Sequence, residues 1–249
     1  MNRKSIFAAM IPILAALFLS MFFSMESVKT KEDLLNTGCN VLLDGQGFGT
    51  GNFINNHKHP YVLTCRHVVA IPDQSDVCRD GILIVQQKID NKDYFVKGKV
   101  VVYSRTIDFA IIELDNVIIN SSIAKYTINP TRVGDKIFCF GLIGMPGKLF
   151  LHEGAVSQKN VDIGKEVADI GYLSIIPGTS GATVFNSDGK GIGIAARVNK
   201  IGGSQCFFVR IGDIIDCLDK SNIEGLSGIL DGSFNGSILS VSKDPVALP

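Results

Sequence analysis

The sequence of 249 residues has no excess of charge of either sign, because 24 lysine and arginine residues balance 24 aspartate and glutamate residues. This balance argues against a dedicated nucleic-acid-binding protein, which usually shows a strong basic excess. Charged residues are also scarce, at 19% of the chain, whereas hydrophobic residues reach 46%. Such a composition argues against wholesale disorder, since the chain can bury a large apolar core.

The six cysteines contain no C-x-x-C spacing, so they indicate neither a structural zinc site nor a redox pair. His57 and His59 stand two residues apart in a probable turn without a third ligand in view, and we predict no metal and no cofactor. The cysteines either pair as disulfides or act as small buried hydrophobic residues. The size of the chain favours the second interpretation.

Charge is absent from residues 5–25, a segment rich in isoleucine, leucine, phenylalanine and alanine. A helix of roughly 20 such residues crosses a hydrocarbon core of about 30 Å. Arg3 and Lys4 precede the segment, and positive charge prefers the cytoplasmic side of a membrane. We therefore predict that residues 1–29 form a membrane anchor, with the rest of the chain on the periplasmic or extracellular side.

A cleaved signal peptide is the competing interpretation of this segment. The sequence SMFFSMES at its end fits poorly to the small-residue pattern of a cleavage site, and the apolar run exceeds the usual length. We favour the uncleaved anchor on these grounds. If residues 1–25 are removed, the protein is secreted.

Long helical periodicity is nearly absent, and short apolar runs separated by turn residues begin near residue 38. Many such runs at close spacing predict an all-β sandwich or barrel. The exception is IGDIIDCL at residues 211–218, where the apolar positions fit one face of a helix, which we place at residues 211–220. Residues 116–133 are predicted to join two β halves. Residues 221–249, rich in glycine and serine without a period, are predicted to be a loosely ordered tail.

Three segments each place one polar, reactive side chain at the edge of an apolar strand. They are GFGTGNFI followed by YVLTCRHVV (47–54 and 61–69), RTIDFAIIEL (105–114), and IPGTSGATVF followed by DGKGIGI (176–185 and 188–194). In chain order they supply His67, Asp108 and Ser180. Each residue alone is usually a turn, cap or surface residue, so the functional interpretation depends on their joint order and spacing.

These motifs resemble those of the trypsin-like serine proteases, and the HtrA-type proteases in particular, over about residues 47–218. The resemblance implies a protease domain at residues 30–220 with two antiparallel six-stranded β-barrels, at about 36–115 and 134–210. It also implies a Ser-His-Asp triad in which Ser180 attacks, His67 is general base and then acid, and Asp108 orients His67. Imidazole suits that role because its ordinary pKa lies near 6.5.

By the same resemblance, the backbone N–H groups of Gly178 and Ser180 form the oxyanion hole. Thr179, Ala182 and Thr183 depart from the family pattern, which leaves the resting geometry of this loop open. The departures motivate an alternative function from another class. A catalytically impaired pseudoprotease would use the same fold as a peptide-binding or interaction module.

The resemblance implies a substrate pocket lined by apolar residues. These are Ile175, Ile194, Ala195 and Ala196. They predict cleavage after small or medium aliphatic residues in polypeptide substrates, unless Arg197 faces the pocket and favours an acidic residue. No activating cleavage is expected, because no Ile-Val-Gly-Gly-like start precedes Cys39. About 30 residues follow Leu218, too few for a PDZ domain, so the oligomeric state is left open.

Two further residues carry expectations of their own. His152, in the run LFLHEGAV, is expected to have a surface role. Cys65, two residues before His67, is expected to point away from the serine and to take no nucleophilic part.

Overall fold

Strand pairing dominates the computed structural model of the chain. The structure describes residues 31–43, 46–55, 60–71, 74–78, 83–89, 92–116, 122–143, 148–164, 167–199, 205–221, 225–231 and 246–248. The helices within these ranges are short, and they are α1 (Lys31–Leu35), α2 (Arg66–Val69), α3 (Ile211–Lys220) and α4 (Leu226–Asp231).

Six strands from the first half of the chain and one from its C-terminal end form a single sheet, in the order β15-β7-β6-β1-β2-β3-β8. Strand β8 also pairs with β7, so that the sheet turns back toward itself. The strands of this half-barrel are β1 (Gly38–Leu43), β2 (Gln46–Asn55), β3 (Tyr61–Thr64), β6 (Leu83–Ile89), β7 (Lys92–Ser104), β8 (Ala110–Leu114) and β15 (Val246–Leu248). A small separate ladder joins β4 (Ala70–Ile71) to β5 (Gln74–Cys78).

The second half forms a closed barrel of six antiparallel strands in the order β10-β11-β14-β13-β12-β9. These strands are β9 (Lys136–Ile143), β10 (Lys148–Asp162), β11 (Val167–Tyr172), β12 (Thr183–Asn186), β13 (Gly191–Asn199) and β14 (Gln205–Arg210). The sequence Asn186-Ser187-Asp188-Gly189 is typical of a hairpin turn, and the structure forms that turn between β12 and β13. Asn186 Oδ1 accepts hydrogen bonds from the backbone N–H groups of Asp188 and Lys190, and Gly189 supplies a positive φ of 72°.

The two halves share one apolar core, which contains Phe53 and Phe109 from the first half and Phe138 and Phe185 from the second. The rings of Phe138 and Phe185 stack with their centroids 5.6 Å apart. Because this core is continuous across the junction, the facing loops of the two halves are held in a fixed relation.

Helix α3 confirms the predicted periodicity. Ile211, Ile214, Ile215 and Leu218 are all buried against the shared core. Arg210, just before the helix, pairs with Asp213 in its first turn, with 2.7 Å between guanidinium nitrogen and carboxylate oxygen.

The expectation of a loosely ordered tail is wrong for two segments of residues 221–249. Helix α4 buries Leu226 and Leu230, and β15 adds a parallel strand to β7 with Leu248 only 2% exposed. Both elements are too short to show a period in the sequence, which is why the pattern did not reveal them.

The predicted membrane anchor lies in residues 1–29, which are outside the described ranges. Within those ranges, no helix has the length and apolar character needed to cross a membrane. The structure confirms the mostly β fold and one closed six-stranded barrel, while the first half is a half-barrel.

Leu248 provides a test of whether the C-terminal strand belongs to the folded unit. Leu248→Ala should lower the free energy of unfolding by about 2–5 kcal/mol, because it leaves a cavity under β7. Val167→Ala, at a side chain that is 43% exposed, is the control and should change stability by less than about 0.5 kcal/mol. Urea denaturation measures both. Equal, small effects would show that β15 is not part of the folded unit.

Candidate active site

His67 and Asp108 meet at the edge of the first half. His67 lies in α2, directly after β3, and Asp108 lies in the loop between β7 and β8. The His67 Nδ1 atom is 2.7 Å from Asp108 Oδ2, and the His67 backbone N–H donates to Asp108 Oδ1 at 3.1 Å. The Asp108 side chain is 1% exposed and that of His67 is 42% exposed. The carboxylate thus fixes the Nδ1 edge of the imidazole ring, while the rest of the side chain is partly open to solvent.

The pKa of Asp108 reflects opposing influences. Burial alone would raise it, but hydrogen bonds and attraction from His67, together with the positive charge of Arg66, bring the pKa below its ordinary value. The carboxylate is therefore ionised at neutral pH. An ionised Asp108 holds the proton of His67 on Nδ1 and leaves Nε2 as the acceptor.

Ser180 lies in a loop between β11 and β12, which we call the serine loop (residues 176–182). Gly178 and Gly181 flank Ser180 with φ angles of 97° and 89°, a region that favours glycine. The Ser180 Oγ atom is 3.5 Å from the carbonyl oxygen of Ala196 on β13. In the described part of the chain, no hydrogen bond joins Ser180 Oγ to the ring of His67.

The backbone N–H groups of residues 178–181 divide into two sets. Those of Thr179 and Gly181 donate to the carbonyls of Ile176 and Ala195, at 3.1 and 2.8 Å. Those of Gly178 and Ser180 have no hydrogen-bond partner among the described residues. The two donors that the resemblance assigns to an oxyanion hole are the ones left available.

Thr50 on β2 fastens the serine loop to the first half. Its backbone N–H donates to the Ser180 carbonyl and its Oγ1 donates to the Gly178 carbonyl, each at 2.8 Å. The same Oγ1 accepts a hydrogen bond from the Leu142 N–H on β9, at 3.0 Å. In the sequence, Thr50 stands only within the glycine-rich motif GFGTGNFI. Its contacts join residues 92 and 128 positions apart, so no local motif reveals them.

Gly181 lies at a close contact between the two halves. A Cβ atom at this position would be 2.0 Å from the Thr50 carbonyl oxygen and 2.3 Å from Thr64 Oγ1. Thr64 Oγ1 in turn donates to that carbonyl at 2.8 Å. The junction therefore has no room for any side chain at position 181.

The expected surface role of His152 is wrong. His152 on β10 is 9% exposed, and its Nε2 atom is 3.5 Å from Oγ1 of the fully buried Thr179 in the serine loop. Burial lowers the pKa of His152, although a hydrogen bond with the backbone of Ser174 opposes the effect. A neutral, buried imidazole thus lies beneath the serine loop. A single histidine in the run LFLHEGAV gives no indication in the sequence that its side chain is buried beneath the serine loop.

Cys65 lies between β3 and α2, with its thiol donating to the Ala195 carbonyl at 3.2 Å. One ligand atom each from Cys65, His67 and Asp108 lie within 4.8 Å of one another, so these residues could hold a metal ion. Cys39, Cys65, Cys139, Cys206 and Cys217 are all buried and form no disulfide, which confirms the interpretation of these five as small buried residues.

The four predicted pocket residues are all buried, but they do not share one face. Ile194 and Ala196 belong to the core shared by the two halves. Ile175 and Ala195 belong to the interior of the second barrel. Side chains alternate along β13, so only one of these pairs can face a bound substrate. Arg197, next on the strand, is exposed.

The family follows from a comparison with known proteins. The model of the trypsin-like peptidase domain matches residues 49–194, which include His67, Asp108 and Ser180. The chain belongs to the trypsin-like peptidases. It is a serine endopeptidase, as the resemblance implied. No curated protein matches the sequence of this peptidase significantly.

Solved structures share the fold of the peptidase at low sequence identity. An inactive serine-to-alanine mutant of Rv3671c from M. tuberculosis H37Rv is 16% identical, with a TM-score of 0.59 over 78% of this chain and 90% of that one. A serine endoprotease from Yersinia pestis is 20% identical, with a TM-score of 0.59 over 79% and 68%. The HtrA-type protease AlgW with a decapeptide is 18% identical, with a TM-score of 0.57 over 72% and 52%.

Gly181→Ala tests the close junction at the serine loop. The added Cβ would meet backbone at 2.0 Å in a conformation that L-residues rarely adopt, so we expect a loss of about 3 kcal/mol or more in unfolding free energy. Gly212→Ala is the matched control, because nothing lies within 4 Å of a Cβ there and alanine favours a helix. Thermal unfolding compares them. A Gly181→Ala protein as stable as Gly212→Ala would refute the described junction.

Proposed function

We propose that the peptidase hydrolyses peptide bonds of exported or unfolded proteins through a triad of Ser180, His67 and Asp108. The observation that carries the proposal is the 2.7 Å contact between His67 Nδ1 and the buried carboxylate of Asp108. That contact fixes the tautomer in which Nε2 can accept a proton. Because the other side of the ring is exposed, a substrate can reach it.

The reaction begins with a rotation of the Ser180 hydroxyl away from the Ala196 carbonyl. His67 Nε2 then takes the hydroxyl proton while Oγ attacks the carbonyl carbon of the scissile peptide bond. Collapse of the tetrahedral intermediate releases the amine, which receives that proton from His67. A water molecule, deprotonated by His67, then hydrolyses the acyl-enzyme and restores Ser180.

The negative charge that develops on the substrate oxygen needs donors that are already in position. The unpartnered N–H groups of Gly178 and Ser180 support an oxyanion hole at the serine loop. The bonds from Thr50 to the carbonyls of the same two residues fix the peptide planes that follow Gly178 and Ser180, and so restrain the loop that carries both N–H groups. Removal of one such donor typically costs about 10²–10³ in rate.

The pseudoprotease alternative has no observation in its favour. Thr179, the departure nearest to Ser180, is fully buried and packs against Gly141, so it leaves the space in front of the serine open. Ala182 is fully buried in the second barrel, as a small residue at that position should be. The altered loop is therefore compatible with catalysis.

We further propose the finer architecture and the location of the peptidase. The pairing of β8 with β7 supports a first barrel of six strands, β7-β6-β1-β2-β3-β8, in addition to the closed second barrel. The HtrA-type neighbour supports an HtrA-like subgroup. The charge-free residues 5–25 support a membrane anchor with the peptidase domain outside the cytoplasm.

Exposed apolar side chains on the serine loop and on β13 support aliphatic specificity. Ile176, four residues before Ser180, is 37% exposed, and Val198, on β13 beyond Ala196, is 41% exposed. We expect a peptide library to be cleaved mainly after small or medium aliphatic residues. Cleavage mainly after aspartate or glutamate would instead assign the specificity to Arg197 and overturn this expectation.

Substitution of the triad residues tests the mechanism. Ser180→Ala should abolish both casein digestion and labelling by a fluorophosphonate, and Asp108→Asn should lower the hydrolysis rate by about 10⁴ because His67 takes the wrong tautomer. Ser187→Ala, an exposed serine in the turn between β12 and β13, is the matched control and should behave as wild type. A wild-type protein as inactive as Ser180→Ala on every unfolded substrate would contradict the proposal.

A further inference from the structure

Cys65 is the polar neighbour of the triad that the proposed mechanism does not use. Its Sγ atom, a ring nitrogen of His67 and a carboxylate oxygen of Asp108 lie within 4.8 Å of one another. The three residues come from two separate segments, the end of β3 with α2 and the loop before β8. Thiolate, imidazole and carboxylate together are the ligand types that zinc prefers.

We propose that Cys65, His67 and Asp108 form an inhibitory site for Zn²⁺, which switches the peptidase off reversibly. The inference rests on the proposed roles of His67 and Asp108 in catalysis. Zinc binds sulfur at about 2.3 Å and nitrogen or oxygen at about 2.0–2.2 Å, so its ligand atoms lie about 3–4 Å apart. The observed ligand atoms, all within 4.8 Å of one another, need to approach by about 1 Å to reach that arrangement.

Access and coordination number also fit the ion. Cys65 and Asp108 are buried, at 0% and 1% exposure, whereas the His67 side chain is 42% exposed. An ion therefore enters from the side of the imidazole, where solvent can supply the fourth ligand of a tetrahedral site. Two anionic ligands, the thiolate and the carboxylate, neutralise the double positive charge in this buried position.

Binding has a definite proton balance. The Cys65 thiol loses its proton to solvent as the Zn–S bond forms, and its hydrogen bond to the Ala195 carbonyl is broken. That carbonyl still accepts a hydrogen bond from the Gly181 N–H at 2.8 Å, so no buried acceptor is left unpaired. The backbone around Ser180 keeps its contacts when the ion binds.

Occupancy stops the proposed reaction whichever ring nitrogen binds the ion. An ion on Nδ1 displaces the proton held by Asp108, and that proton moves to Nε2, which can then no longer accept the Ser180 proton. An ion on Nε2 occupies the lone pair that accepts the Ser180 proton. Mg²⁺ and Ca²⁺ prefer sets of oxygen ligands and should not inhibit.

The activity test compares inhibition by zinc chloride in the wild type, Cys65→Ser and Cys139→Ser. Each variant is scored against its own uninhibited rate, so a change in basal activity does not affect the result. We expect Zn²⁺ to inhibit the wild type, a chelator to restore it, and Cys65→Ser to raise the half-inhibitory concentration by about tenfold or more. Cys139→Ser, at a buried cysteine inside the second barrel, should keep wild-type sensitivity. Equal inhibition of wild type and Cys65→Ser, or no inhibition of the wild type, overturns the site.

Metal binding is measured separately in the Ser180→Ala protein, where activity plays no part. Calorimetry should show Zn²⁺ binding that weakens by about tenfold or more in the Ser180→Ala/Cys65→Ser protein. Cd²⁺ should give a thiolate-to-metal absorption band in Ser180→Ala, which needs no cysteine variant to fold. Absence of that band overturns the site. Cysteine-dependent binding by a wild-type protein without hydrolytic activity upholds the metal site and counts against the proposed function.

Discussion

The hydrogen bonds of Thr50 are the interaction on which the active site depends. The proposed nucleophile, Ser180, and the proposed base, His67, lie in different halves of the molecule, so a rigid junction is needed to hold them in register. Thr50 supplies that junction through its bonds to the carbonyls of Gly178 and Ser180 and its acceptance of the Leu142 N–H. Each bond is buried or nearly so, and an unmade buried hydrogen bond costs about 1–3 kcal/mol. The serine loop thus has little freedom to leave the first half.

Other buried hydrogen bonds also join the two halves along the junction. Asn52, two residues after Thr50, accepts a hydrogen bond from the Thr183 N–H at 2.8 Å and donates to Thr37 at 3.0 Å. Tyr126, in the connection between the halves, bonds to Thr183 Oγ1 at 2.8 Å. Satisfied polar groups in a low-dielectric interior favour a single arrangement of the elements that they join. The stacked rings of Phe138 and Phe185 contribute buried apolar surface at the junction, and these hydrogen bonds fix how the two halves are aligned.

Sequence reasoning succeeded where the signal is local. The helical period of α3, the turn at Asn186 and the strands beside His67 and Asp108 are each encoded within a short segment. The resemblance also implied that Asp108 contacts His67, and the two side chains are 2.7 Å apart. The buried contact of His152 with Thr179, the bonds of Thr50 to the serine loop and the contact of Cys65 with the Ala195 carbonyl were not predicted. These contacts join residues 27, 128 and 130 positions apart, and no short pattern encodes such pairs. Strand β15 was missed because three residues are too few to show alternation.

The departures of the serine loop from its family also have a structural meaning. Thr179 is buried beside His152 and Gly141, so the loop replaces a more polar residue with one that packs. The result is a loop held from below by β9 and β10 and from the side by β2. Among the described residues, the N–H groups of Gly178 and Ser180 have no hydrogen-bond partner, and they are the groups that we propose to bind a developing oxyanion.

The most direct test of the central claim is a crystal structure of the protein after reaction with a peptidyl phosphonate. The account predicts phosphorus bonded to Ser180 Oγ, with a phosphoryl oxygen about 3 Å from the backbone nitrogens of both Gly178 and Ser180. It also predicts His67 Nε2 facing the adduct while Nδ1 keeps its contact with Asp108. An adduct on any other residue, or a phosphoryl oxygen pointing away from those nitrogens, would contradict the account.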